Sequence, residues 1–542
     1  MIQRLAYEDP DGSTGSSRGS TNPIYILQHH DHLLPSSSPR SLLCHSQALA
    51  FQDPKPPTKP FPHPPHCWPS LPPKETPPPH SNQVIKPVRP IIYLSFGSRP
   101  VLVVSSPCAA EECLATKDII FANRPRLLAG KHLGYNFTSL AWASYGDHWR
   151  NLRRISSLEL LSSHRLQTLS HIRTDEVRSL LRRLLPTNNK NQNQTQIHDL
   201  KSAFFELTLN VMMRMISGKR YYGGSAAEAE EDQVCKFRDI VSETFRLGSV
   251  TNVADFLPML SWFGISRMEK RLIVLQEKRD RFMQSLIEEH RRMGCDADAE
   301  KGKKKKKTMI GVLLDLQESE PEYYKDEIIK GIMLALLSAG TDTSAGTMEW
   351  AMSLLLNSPD VLKKAQAEID NHVGLDRLLD EPDMAELPYL RCIINETLRM
   401  YPAGPLLVPH ESSEDCQVGG FHVPGGTTLL VNLWGMQNDP TIWEDPTNFK
   451  PERFEGFGGM KDEFKFRFMP FGSGRRGCPG EGLAIRMVGS ALGSLIQCFE
   501  WQRIDKEMVD MSEVVGLTLT KARPLHAICR PRPSMVNLLS QL

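Results

Sequence analysis

The segment Tyr324 to Leu356, "YKDEIIKGIMLALLSAGTDTSAGTMEWAMSLLL", limits the fold most. It runs 33 residues without a proline and is apolar on most sides, so it predicts one long helix through the centre of a protein. Such a helix needs a large, mainly α body around it. At 542 residues, 40% of them hydrophobic, the chain can supply one, either as a single large enzyme or as three or four units. No stretch of 18 or more apolar residues occurs, and residues 1–30 lack a signal-peptide core.

The first 85 residues have a different texture. Nineteen of the 40 prolines and 7 of the 17 histidines precede residue 91, in runs such as "KPPTKPFPHPPHCWPSLPPKETPPPH". Such runs sustain neither helix nor internal strand, so residues 1–85 are expected to be disordered and residues 86–542 to form the folded domain. His63, His66 and Cys67 have no second ligand pair at finger spacing, which argues against a zinc site. From Pro90, "IIYLSFGSRPVLVVSS" reads as a hairpin turning at Gly97 to Pro100. Helices follow, one able to start with Asp147 as N-cap, another with Ser358 as N-cap, Pro359 at its first position and Gly374 as its stop. "QVGGFHVPGGTTLLVNLWGM" predicts short strands punctuated by glycine, and 188–196 and 221–232 read as loops.

Charge and cysteine content exclude more than they assign. Sixty-four basic residues against 63 acidic give +1, so bulk charge names no polyanionic partner, and the run Lys301–Lys307 reads as a solvated loop rather than a nucleic-acid contact. Eleven cysteines without regular spacing argue against a disulfide framework and for a reducing compartment.

One cysteine sits in a loop that carries chemistry, "FKFRFMPFGSGRRGCPGEGLAI". Gly472, Gly474 and Gly477 match G-x-G-x-x-G, but only 65 residues follow Gly477, too few to complete a dinucleotide-binding sheet. The competing pattern F-x-x-G-x-R-x-C-x-G is met by Phe471, Gly474, Arg476, Cys478 and Gly480, and a chance match is on the order of 1 in several thousand chains of this size. A cysteine just before a helix starting near Pro479 meets free N–H groups and the positive dipole end, which favour a thiolate. Glycines let the backbone pass close beneath a flat macrocycle, and Arg476 supplies a permanent cation for a carboxylate. A buried structural cysteine is the alternative for the loop taken alone.

With these residues in hand, the chain from Pro90 to its end resembles the haem-thiolate monooxygenases, the cytochromes P450. Glu396 and Arg399, three apart on one helical face, together with Arg453 in "PERF", resemble the family's Glu-Arg-Arg triad, a structural device. Trp149 and Arg153 match its W-x-x-x-R helix, and His410 stands at the place of a further propionate partner. Within the central helix "AGTDTS" matches the oxygen-activation motif, with Asp342 and Thr343 as its acid and hydroxyl and Gly340 opening a groove for dioxygen; a threonine bonded back to the preceding turn is the competing reading of those residues alone.

The resemblance implies a mainly α fold, with a smaller β-rich N-terminal part and a long helix over the haem. It implies haem b (iron protoporphyrin IX) on Cys478, with Trp149, Arg153, Gly340, His410, Phe471, Gly474, Arg476 and Gly480 around the cofactor. The implied reaction inserts one atom of O2 into a small hydrophobic substrate, with electrons from an NADPH–cytochrome P450 reductase; Arg475, Lys461 and Lys465 near the cysteine loop read either as a basic docking face for it or as a solvated charge cluster. "VMMRMISGKRYYG" and "FKPERFEGF" resemble the plant microsomal subfamily of isoflavone and indole-glucosinolate hydroxylases, implying a flavonoid, isoflavonoid, lignan or indole substrate and a place on the cytosolic face of the endoplasmic reticulum membrane. Members of that type begin with an anchor of about 20 apolar residues. Residues 1–85 offer proline without one, so either the true chain begins differently or this form lacks an anchor. The alternatives are a haem-thiolate lyase or isomerase and a catalytically dead haem binder.

Overall fold

The N-terminal hairpin consists of β1 (Ile91–Phe96) and β2 (Arg99–Val104), antiparallel with Ile91 opposite Val104. Gly97 turns it at φ +57°, and a Cβ there would stand 2.1 Å from the Phe256 carbonyl oxygen, so both conformation and space require glycine. The structure is a computed structural model that describes residues 89–186, 196–223, 237–259 except 238, 245, 249–251 and 258, 267–297, 308–456, and 465–542 except 515. Segment 1–85, Lys301–Lys307, Lys461 and most of the two loops expected at 188–196 and 221–232 lie outside the described residues.

The longer helices are α1 (Asp147–Ile155), α2 (Ser170–Leu184), α3 (Leu200–Ser217), α4 (Arg267–Ala297), α5 (Met309–Ser319), α6 (Asp326–Asn357), α7 (Pro359–His372), α8 (Pro388–Met400) and α9 (Glu481–Cys498). The central one is α6, packed against α3, α4, α8 and α9, with Met333, Met348, Met352 and Leu355 fully buried. Burial on several sides explains its apolar character. Two helix starts can be compared with the sequence. Asp147 is the first residue of α1 and pairs with Arg150, while Gly146 holds the cap position, so the expected N-cap was one residue late. For α7, Ser358 stands at the N-cap without a capping bond, Pro359 follows at the first position, and Gly374 lies beyond the end at φ +81°.

The β-rich part is not confined to the N-terminal end, as the resemblance implied. β4 (His410–Glu411) and β7 (Thr428–Val431) complete a four-stranded sheet in the order β1-β2-β7-β4, with β2 and β7 parallel and Val101 opposite Thr428. A lone hairpin is marginal, and the added strands leave Val101 to Val104 at most 3% exposed. The glycine-punctuated strands are present as β5 (Cys416–Val418), β6 (Phe421–Val423) and β7, with Gly419, Gly420 and Gly426 at positive φ in the turns. β3 (Ile197–Asp199) pairs with β11 (His526–Pro531), which also pairs with β8 (Phe499–Gln502); β9 (Glu513–Val514) and β10 (Thr520–Lys521) form a short hairpin. Among the described residues no helix is long and apolar enough to cross a membrane.

Candidate functional site

The segment leading to the cysteine loop is pinned from below by a buried ionic cluster. Arg399 meets Glu396 twice, Nε to Oε2 at 2.7 Å and Nη2 to Oε1 at 2.9 Å, and Arg453 Nε reaches Oε1 at 2.9 Å. Arg399 also donates to the carbonyls of Gln437 (2.6 Å) and Pro446 (2.7 Å), and Arg453 to that of Glu444 (2.9 Å). Glu396 and Arg399 are wholly buried, so their charges hold only because each is matched within the cluster. The arrangement ties residues 437–454 to α8.

The loop itself is shaped by three local contacts. Cys478 N–H donates to the Phe471 carbonyl at 2.8 Å and Gly477 N–H to that of Gly474 at 3.1 Å. Gly474 sits at φ +68°, and a Cβ on it would stand 2.2 Å from the Leu114 carbonyl oxygen. This glycine therefore admits a neighbouring backbone segment, a correction to its expected approach to a macrocycle. Helix α9 starts at Glu481, and the N–H groups of Gly480 and Glu481 hydrogen-bond the Cys478 sulfur. Burial pushes the thiol's pKa up, while those N–H groups and Arg153 act in the opposite direction. Yet the side chain is exposed.

Beside that sulfur lies a group of cations without an anion. Arg476 donates to the carbonyls of Ala122 (2.7 Å) and Ala143 (2.6 Å), and its guanidinium lies 4.3 Å from the centre of the Trp149 ring. Arg153, one helical turn beyond Trp149 on α1, donates to the Gly477 carbonyl. Arg124, only 7% exposed, donates to Val408 (2.8 Å) and Pro409 (2.7 Å) and leaves its Nε without a partner. Burial and mutual repulsion pull Arg124 down to about 9 and Arg476 to about 10. The Nδ1 of His410 lies 2.8 Å from the Phe121 carbonyl, which only accepts, so Nδ1 carries the proton; burial and then Arg124 hold this ring well below its ordinary pKa. Trp149 is 4% exposed, and its Nε1 has no partner.

One buried and two half-buried guanidiniums, paired with carbonyls and close enough to repel, make a place for an anion from outside the chain. The two propionates of a haem fit that donor set, and the accessible Cys478 sulfur fits its iron. Arg124 was missed from the sequence, where the arginines of "ANRPR" carry no spacing signal.

On α6, Ala339 is exposed in the middle of a helix otherwise packed on several sides, with half-buried Ala335 and Thr343 one turn to either side. This stripe is an open face. The Thr343 hydroxyl donates to the Ala339 carbonyl at 2.6 Å, so the back-bonded arrangement weighed from the sequence is the one present. Asp342 turns elsewhere: its Oδ2 accepts the Thr518 hydroxyl at 2.9 Å, and burial raises its pKa. A Cβ on Gly340 would stand 2.6 Å from the Met212 sulfur of α3. Its missing side chain serves helix packing, which corrects the expected dioxygen groove. Of the expected docking residues, Arg475 is paired with Asp118 at 3.1 Å and Lys465 lies 5.4 Å from the Phe466 ring centre.

Comparison with known proteins agrees with this geometry. The family model described as Cytochrome P450 matches residues 59–528. An isoflavone 2'-hydroxylase of Glycyrrhiza echinata is 47% identical over 451 residues, 83% of this chain and 87% of that protein. The (+)-piperitol/(+)-sesamin synthase of Sesamum radiatum is 48% identical over 455 residues, covering 84% and 86%. A zebra fish cytochrome P450 solved with progesterone superposes with a TM-score of 0.68 at 25% identity, covering 82% of this chain and 96% of that one.

Proposed function

The chain belongs to the cytochrome P450 family and is a haem b monooxygenase, and from that premise we propose that Cys478 is the iron ligand and that the substrate is a small hydrophobic plant metabolite of isoflavonoid, flavonoid, lignan or indole type. The observation that carries the site assignment is the buried Arg124 with the half-buried Arg153 and Arg476 and the unpartnered Trp149 N–H, gathered beside the exposed Cys478. When bound, a thiolate-ligated haem supplies the reductive cleavage of dioxygen and the transfer of one oxygen atom to the substrate.

The chain's own residues prepare for this. The N–H groups of Gly480 and Glu481 hold negative charge on the Cys478 sulfur. Arg124, Arg153, Arg476 and Trp149 fix the two propionates, with His410 beside them. Thr343, its proton on the Ala339 carbonyl, keeps oxygen lone pairs for a proton donor above the open face. Asp342 holds and passes protons from behind that face, because burial keeps its carboxyl readier to protonate than an exposed one. Glu396, Arg399 and Arg453 stay structural.

The reaction needs a redox partner, and we infer an NADPH–cytochrome P450 reductase at the endoplasmic reticulum membrane from the resemblance to microsomal members. The substrate classes rest on the isoflavone 2'-hydroxylase and sesamin synthase. The test supplies the enzyme with NADPH, reductase and heavy-isotope dioxygen and screens those classes. A product carrying one heavy oxygen is expected. Turnover without NADPH, or product without label, would point to a lyase or isomerase instead.

A further inference from the structure

Thr518 belongs to none of the motifs, yet its hydroxyl is the hydrogen-bond donor that Asp342 has among the described residues, at 2.9 Å. Its place is set by the neighbouring residue. Leu519, 2% exposed, donates its N–H to the Ala403 carbonyl at 3.0 Å and accepts Trp350 Nε1 on its own carbonyl at 3.0 Å. Trp350 is fixed in turn, lying flat on Tyr401 with ring centres 3.9 Å apart and 7° between planes, and with the Lys521 ammonium 4.7 Å from its ring centre. A little further on, Leu525 N–H donates to Glu349 Oε1 at 2.9 Å. Asp342 and Glu349 are seven apart, two turns along one face of α6, and each takes a donor from the same C-terminal segment.

We propose that Thr518 is a positioning residue, whose hydroxyl fixes the orientation of Asp342 and stabilises its ionised form so that protons reach the open face of α6 in order; this rests on the reading of Asp342 as the acid that passes protons. Three observations favour it. Thr343 cannot orient Asp342 with its own proton, which lies on Ala339. The other group acting on Asp342 is Lys201, at the start of α3, through its charge and without a hydrogen bond; Lys521, Asp199 and Glu349 form a neighbouring set in which the first two act on Glu349. And Leu519, next to Thr518, is held through both its N–H and its carbonyl, so little freedom is lost in presenting the Thr518 hydroxyl.

The test compares the haem-loaded enzyme with Thr518→Val, which keeps the shape and removes the donor, and with Thr518→Ser, which restores it; Thr518→Ala stands in if the valine variant does not load haem. Two quantities are read. One is the pH midpoint of the protonated Asp342 carboxyl band, taken as the infrared difference from the matching Asp342→Asn protein. The other is the ratio of hydrogen peroxide to hydroxylated product per NADPH. A lost hydrogen bond to the ionised form should move the midpoint up by about one pH unit and raise the peroxide share severalfold, with serine at the wild-type values. An unmoved midpoint and ratio in the valine variant, while Asp342→Asn changes the ratio, would overturn the role of Thr518 alone. If Asp342→Asn leaves the ratio unchanged, the reading of Asp342 falls and this proposal falls with it.

Discussion

Arg124 shows what a single residue can reveal that a motif does not. Its charge is buried, its partners are two carbonyls, and the charge that acts on it is that of another arginine, Arg476. In an ordinary core such a charge would be replaced. Replacing it here, as Arg124→Gln, should speed haem loss to a scavenging apoprotein by about tenfold or more, since a charge-assisted hydrogen bond contributes roughly 1.5–3 kcal/mol. The thermal midpoint of the haem-free protein should stay or rise, and a fall there with haem retention unchanged would make Arg124 merely structural. His410 gives a prediction of the opposite charge state. Its folded pKa lies below the unfolded value of about 6.5, so the unfolded chain binds the extra proton and stability falls as pH drops through that value. Thermal midpoints of the haem-free protein between neutral pH and pH about 5 should therefore fall less in His410→Gln than in wild type; parallel slopes would contradict the assignment. At this scale the sequence offers candidates where a spacing carries the information, as for Cys478, Arg476 and Glu396. Arg124 and Thr518 were not legible, because each acts through partners far away in the chain.

Among the elements, the packing of α6 on α3 decides how Gly340 is read. The sequence motif suggested a groove, and the structure fills that space with Met212. Gly340→Ala should lower the stability of the loaded enzyme by about 1–3 kcal/mol, because the new methyl group must displace a close-packed side chain. Met212→Ala made together with it should cost less than the sum of the two single changes, as neighbours couple. Denaturation of the four proteins measures this; additive effects, with altered access of small ligands to the haem, would restore the groove. Helix α6 was readable from its unbroken apolar run, and α7 from its proline and glycine punctuation. The parallel pairing of β2 with β7 was not readable, since it joins residues more than 300 positions apart and leaves no local pattern. The short hairpin of β9 and β10 went unread for another reason. Two-residue strands have no periodicity, and their long-range contacts come from elsewhere in the chain, Trp434 Nε1 on Glu513 and Trp350 Nε1 on the Leu519 carbonyl beside β10.

For the molecule as a whole, the account joins three pieces of chain: a cysteine loop locked by the Glu396 cluster, a set of cations from Arg124 and Arg153 that meets Arg476, and a helix left open along one stripe. The class of chemistry was legible because those pieces carry motifs in a fixed order. The substrate was not, because none of those motifs encodes a contact to a substrate. On this account all of the chemistry depends on one bond, the one proposed between the Cys478 sulfur and iron, and the reduced protein with carbon monoxide reads that bond directly. The account predicts the long-wavelength absorption band of a thiolate-bound haem in the wild type, and in Cys478→Ser loss of that band with the Glu396 cluster and fold intact by circular dichroism. A serine variant that keeps the thiolate band would contradict it.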